Sequence, residues 1–206
     1  MTKKIVIIDY NMGNLTSVAN ALEYIGEKAV ISNKIEDIKN ADYIILPGVG
    51  AFSDGMKNLK DLGIINILNE EVIKKKKPLL GICLGMQLLA EEGYEGGLNK
   101  GLGYIKGVVK KFDLKNLRIP HVGWNEVNFK KKSSLSHNLK ESEVFYFVHS
   151  YYLITNEDII VGTCDYGNEF VAAIQKENIF ATQFHPEKSQ KPGLQILRNF
   201  IEYKKC

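Results

Sequence analysis

The sequence is poor in the residues that build covalent or low-complexity scaffolds. Three cysteines in 206 residues, an odd number, are too few for a disulfide framework. A reducing, cytoplasmic setting is the expectation that follows. With 5 prolines and 18 glycines the chain is neither collagen-like nor proline-rich. Neither sign of charge dominates: 27 Lys and Arg stand against 24 Asp and Glu, a net charge of +3. Long apolar runs are missing too. After Lys3 and Lys4 comes only Ile5-Val6-Ile7-Ile8 before Asp9, too short for a signal peptide or a membrane span. Lysines cluster at 74–77 and 130–132 without interleaved aromatics. That pattern reads as solvated surface rather than a nucleic-acid stripe. His121, His137, His149 and His185 are scattered and show no zinc-ligand spacing. No metal and no organic cofactor is expected. Cys164 and Cys206 read as a packed thiol and an exposed terminal one.

What remains is ordinary globular material, 45% hydrophobic and 10% aromatic, long enough to bury a core unaided. Residues 4–9 read as a buried β-branched strand. Leu15, Val18, Ala19 and Leu22 then recur at helical spacing, with Gly26 at the helix end. Further strands are expected at 29–31, 43–46 and 79–82, with helices at 35–41, 64–76 and 86–92. Such alternation predicts a parallel sheet with helices on both faces, and ligands at the carboxyl ends of its strands. From 101 to 184 strand-like segments crowd together at 104–112, 121–129, 144–154, 159–164, 170–175 and 179–184, an antiparallel pattern. A last helix covers 193–203. With no linker, residues 1–206 form a single α/β domain in this reading: a mostly parallel central sheet flanked by helices, with an additional antiparallel section in the second half.

Three short segments carry chemistry. Gly81-Ile82-Cys83-Leu84-Gly85 has the form of a nucleophile elbow with cysteine in the nucleophile's place. Glycines allow a tight turn, and the start of a helix favours thiolate over thiol. Gln183-Phe184-His185-Pro186-Glu187 offers a base and, two residues on, a carboxylate to orient it. Pro47-Gly48-Val49-Gly50 is a glycine-rich turn at a strand end whose N–H groups, with that of Leu84, suit an oxyanion hole. No G-x-x-x-x-G-K-[ST] run is present, which argues against a P-loop. All three segments fall at the carboxyl ends of expected strands.

Pro-Gly-Val-Gly, Gly-Ile-Cys-Leu-Gly-Met-Gln and Gln-Phe-His-Pro-Glu-Lys-Ser, in this order, resemble the class I (triad) glutamine amidotransferase family over nearly the whole chain. The resemblance implies a triad of Cys83, His185 and Glu187, a γ-glutamyl thioester on Cys83, and hydrolysis of L-glutamine to glutamate and ammonia. It implies oxyanion donors at Val49, Gly50 and Leu84 beside Gly48, and glutamine head-group contacts from Gln87 and Glu95. His149, Ser150 and Tyr151 would line the substrate pocket. The segments Ile8-Asp9-Tyr10-Asn11-Met12-Gly13-Asn14-Leu15 and Pro120-His121-Val122-Gly123-Trp124-Asn125, with Lys188-Ser189, are similar to glutaminase subunits that pass ammonia to a separate cyclase. That cyclase would be a (β/α)8 barrel closing an imidazole ring and releasing AICAR in histidine biosynthesis. Asn14, Trp124 and Lys188 would then lie at the subunit interface of a heterodimer.

Free ammonia is wasted without an acceptor. The glutaminase is therefore expected to idle until its liganded partner docks, with a peptide of the Gly48-Val49-Gly50 strip turning its N–H into the site. Rival readings change the acceptor to one for sugar amidination, make the fold a catalytically silent module, or make it a cysteine peptidase.

Overall fold

A computed structural model describes residues 3–115 and 117–204. The expectation for Cys206 lies outside the described residues. The amino-terminal half alternates strands and helices in the order β1 (Ile5–Ile8), α1 (Leu15–Tyr24), β2 (Ala29–Ser32), α2 (Ile35–Asn40), β3 (Tyr43–Gly48), α3 (Phe52–Asp61), α4 (Ile64–Leu68), β4 (Leu79–Cys83) and α5 (Leu84–Leu88). Next come the strands β5 (Ala90–Gly93), β6 (Asn99–Lys100), β7 (Ile105–Lys111), β8 (His121–Phe129), β9 (Ser142–His149) and β10 (Tyr151–Ile154). The chain closes with β11 (Ile160–Asp165), β12 (Glu169–Lys176), β13 (Ile179–Thr182) and the helix α6 (Gln190–Glu202).

Nine strands make one sheet in the order β2-β1-β3-β4-β13-β12-β11-β8-β9. The first five run parallel, and from β13 onward every neighbour is antiparallel. The antiparallel section is thus a continuation of the central sheet. A second, four-stranded sheet, β10-β7-β5-β6, stands apart from it. Burial on both faces explains why β1 and β3 read as continuous apolar runs. Val6, Ile8, Ile44 and Leu46 point into one core with Ile38, Leu59 and Ile64, and Ile5, Ile7, Tyr43 and Ile45 point into the other with Leu22, Leu197 and Phe200.

Local departures from expectation have physical reasons. The helix expected over 86–92 ends at Leu88, and Ala90–Gly93 is strand instead. Leu88, Leu89 and Ala90 are fully buried, so their apolarity fits either period, and pairing of β5 with β7 decides the conformation. Helix 64–76 is α4 continued by a π-helical turn, Asn69–Lys74. Helix α3 was not expected; it packs through Gly55, where a Cβ would come within 3.1 Å of Leu88. The expected strand 144–154 breaks at Ser150, and its halves, β9 and β10, belong to different sheets. The lysine runs are drawn into ion pairs, Lys74 with Glu70, Lys75 and Lys77 with Glu71, and Lys130 with Glu169.

Candidate active site

Strand β4 lies between β3 and β13, so all three segments singled out in the sequence leave adjacent parallel strands at the same edge. Cys83 stands at the bend between β4 and α5 with φ +54° and ψ −106°. A non-glycine residue holds such backbone at a cost of about 1–3 kcal/mol. The flanking glycines make the bend possible. A Cβ on Gly81 would sit 2.9 Å from the Gly85 carbonyl, and one on Gly85 would overlap the carbonyl oxygen of Leu46.

The Cys83 side chain is 5% exposed. Its Sγ lies 3.9 Å from the Val148 carbonyl oxygen and accepts a hydrogen bond from Gln183 Nε2 at 3.7 Å. His185 follows β13 and precedes a short 3₁₀ turn, Pro186–Lys188. Its Nδ1 is 2.8 Å from Glu187 Oε1, and both side chains are nearly fully buried. The backbone is anchored as well: His185 N–H donates to Tyr146 O at 2.9 Å, and Ser189 Oγ donates to His185 O at 2.6 Å. Burial alone would lower the pKa of His185. Interaction with the Cys83 sulfur and the Glu187 carboxylate outweighs it and pushes the pKa up to about 10. These two neighbours favour the protonated form of the ring. Among the described residues neither its Nε2 nor Glu187 Oε2 makes a hydrogen bond.

In the β3–β4 register Gly48 is the partner of Cys83, which carries Val49 and Gly50 past the sulfur. Gly50 has φ +116°, a conformation open to glycine. Tyr10 packs beneath this strip. Among the described residues its buried hydroxyl has no hydrogen-bond partner, and a Cβ on Gly48 would overlap it.

A cavity of about 350 Å³ opens beside the sulfur. Val49, Gly50, Leu84, Gln87, Glu95, His149, Ser150 and Tyr151 all line it, whereas Gly48 does not. Ala51, Pro120 and Val148, which sequence reasoning did not single out, complete the wall. Gln87 uses both amide hydrogens internally, donating to Tyr151 O at 2.9 Å and Gln183 Oε1 at 3.1 Å. Glu95 reaches across from the β5–β6 loop, where Oε2 accepts the N–H of Phe52, first residue of α3, at 2.8 Å.

Two histidines far apart in sequence meet behind the cavity. His121 Nδ1 and His149 Nε2 are 3.1 Å apart. Burial lowers the pKa of His121 to about 4, and burial is also the main cause that takes His149 down to about 3. Among the described residues no group of three or more His, Cys, Asp or Glu side chains is arranged to hold a metal ion. Cys164 is buried, and burial pushes its thiol up to about 12.

The expected interface residues lie outside the cavity. Trp124 is 49% exposed, with its ring edge-on to Tyr146 at 5.9 Å. Lys188 Nζ stands 5.8 Å from the same tyrosine ring. Asn14 caps α1 by accepting the N–H of Ser17 at 3.2 Å. Gln183 is the residue sequence reasoning passed over. The available signal was a polar side chain directly after an apolar strand, beside the histidine.

This fold is that of an amidotransferase. The family model for class I glutamine amidotransferases matches residues 6–203, and the chain belongs to that family. Among curated relatives, the imidazole glycerol phosphate synthase subunit HisH 1 of Campylobacter jejuni strain RM1221 is 53% identical, covering 96% of this chain and 98% of its own length. The imidazole glycerol phosphate synthase subunit HisH of Aquifex aeolicus is 50% identical over 95% of this chain and 94% of its own. A solved glutamine amidotransferase superposes with a TM-score of 0.75 at 20% identity, over 96% of this chain and 97% of the other. PurLQS from Thermotoga maritima gives 0.74 at 18%, covering 98% and 99%. At those identities the two structures bear on the fold.

Proposed function

We propose that this protein is the glutaminase subunit of imidazole glycerol phosphate synthase in histidine biosynthesis, with Cys83, His185 and Glu187 as its triad. The observation that carries the chemistry is the buried Glu187–His185 pair, whose histidine is coupled to the strained Cys83 on the cavity wall. Full-length similarity to HisH subunits carries the pathway.

The Cys83 thiolate attacks the γ-carbonyl carbon of L-glutamine. The carbonyl electron pair moves to oxygen, and N–H groups of the Val49–Gly50 strip and of Leu84 receive the oxyanion. One such donor is worth roughly 2.7–4 kcal/mol in the transition state. His185, held as imidazolium by Glu187, gives its proton to the departing nitrogen, and ammonia leaves the γ-glutamyl thioester. Neutral His185 then takes a proton from water, whose oxygen attacks the thioester, and glutamate departs from a restored thiolate–imidazolium pair. Glu95 and the Gln87 oxygen receive the α-ammonium of the substrate.

Ammonia passes to a separate (β/α)8-barrel cyclase that docks over Asn14, Trp124 and Lys188 to form a cytoplasmic heterodimer, with no nucleic acid, membrane or cofactor involved. Tyr146 connects that surface with the site, because the ring under Trp124 and Lys188 belongs to the residue whose carbonyl holds the His185 backbone.

Complementation is the test. The gene restores growth without histidine to a strain lacking this subunit, and Cys83→Ala does not while keeping the wild-type Tm. Glutamine hydrolysis without restored growth would assign the ammonia to another acceptor, and retained hydrolysis in Cys83→Ala would end the triad reading.

A further inference from the structure

Gln183 is fully buried and lies against the Cys83 sulfur. An amide can present either an N–H or an oxygen to a neighbour, so its orientation has to be settled from its partners. Here two backbone carbonyls settle it. Tyr151 O can only accept, which makes its 2.9 Å partner on Gln87 the amide nitrogen and its 2.8 Å partner on His149 a protonated Nδ1. The second hydrogen of Gln87 Nε2 is donated to Gln183 at 3.1 Å, so that side of Gln183 is its oxygen. The amide side left to face the sulfur is therefore the N–H donor, at 3.7 Å.

The same accounting runs outward. Neutral His149 has a bare Nε2 that accepts from His121 Nδ1 at 3.1 Å, so His121 Nε2 is bare and faces Asn125 Nδ2 at 3.4 Å. Asn125 Nδ2 also donates to the Asp165 carbonyl at 2.8 Å, which fixes that amide in turn. From strand β8 to Gln183 the donors and acceptors are assigned without conflict, and the sulfur lies between the Gln183 N–H and the Val148 carbonyl oxygen, 3.9 Å away.

We propose that Gln183 is the donor that stabilises the Cys83 thiolate, with Gln87, His149, His121 and Asn125 as positioning residues that hold its N–H toward the sulfur. A donor to an anion is worth more than one to a neutral thiol, so Gln183 favours the thiolate form of Cys83 over the thiol. The proposal rests on the reading of Cys83 as the nucleophile. Loss of glutamine hydrolysis on alkylation of Cys83 tests that reading separately.

The test compares alkylation of Cys83 by iodoacetamide in the full-length protein and in Gln183→Met, read by mass spectrometry of the Cys83 peptide. Hydrogen bonds to charged groups contribute enough that the rate at pH 7 is expected to fall about tenfold, while the rate at pH 10 stays within about twofold of wild type. A change in packing or access alone would alter both. No change at pH 7, or equal loss at both pH values, overturns the proposal. If Gln183→Met loses the wild-type circular dichroism spectrum, Gln87→Met carries the same test, since it removes the donor that orients Gln183. If both variants unfold, the Gln183 side-chain amide protons are followed by NMR in the wild-type protein. A shift that tracks Cys83 ionisation supports the assignment, and invariance overturns it.

Discussion

At Cys83 a backbone cost and an electrostatic gain fall on one residue. The positive φ leaves the thiol at the bend where Gln183 reaches it. The charge of His185 has a consequence for stability. An unfolded histidine releases its proton near pH 6.5, whereas the folded one keeps it to about pH 10. Its contribution is therefore fully present below about pH 6.5 and drains away as pH rises through about 10. The Tm difference between wild type and His185→Gln is expected to be largest below pH 6.5 and to close by pH 10. A pH-independent difference would contradict the imidazolium. The sequence made Cys83 and His185 visible because their immediate neighbours are unusual. Gln183 stood in the same motif and went unread, since its partners, Gln87 and Cys83, are about a hundred positions away.

At the scale of elements, the site is built where strand ends meet helix starts. Glu95 does two jobs at the start of α3, holding the Phe52 N–H and presenting a carboxylate to the cavity. Glu95→Ala is expected to cost about 1 kcal/mol of stability through the uncapped helix. It is also expected to raise the KM for glutamine about tenfold through the lost ammonium contact, with a smaller effect on kcat. Thermal unfolding and steady-state kinetics read the two effects independently; an unchanged KM would remove Glu95 from the substrate site. The parallel strands were legible from β-branched runs bounded by glycine and proline. The end of the helix expected over 86–92 was not, because the stretch from Met86 to Ala90 is buried on every side and shows no solvent face to reveal its period.

At the scale of the molecule, the active edge and the exposed β8–β9 surface share one strand. Val122, Trp124 and Val144 are large apolar side chains left about half exposed on that surface. Tyr146 lies between them and the His185 backbone. Removing a central tryptophan from an interface typically costs about 2 kcal/mol, or roughly thirtyfold in Kd. Trp124→Ala should weaken binding of the synthase subunit by that order in calorimetry, with the rate of Cys83 alkylation in the isolated chain unchanged. Undiminished affinity would place the partner elsewhere.

The alternation of strands and helices in the first half, the crowding of strands in the second and the three loops at strand ends were legible in the sequence alone, because local periodicity and glycine placement are short-range properties. The pairing of His121 with His149, the direction of the Gln183 amide, the exposure of Trp124 and the splitting of residues 142–154 between two sheets were decided only by tertiary structure. Each depends on which distant group supplies a hydrogen-bond acceptor, a stacking ring or a strand partner. No local pattern encodes that choice; the packing of the whole chain makes it.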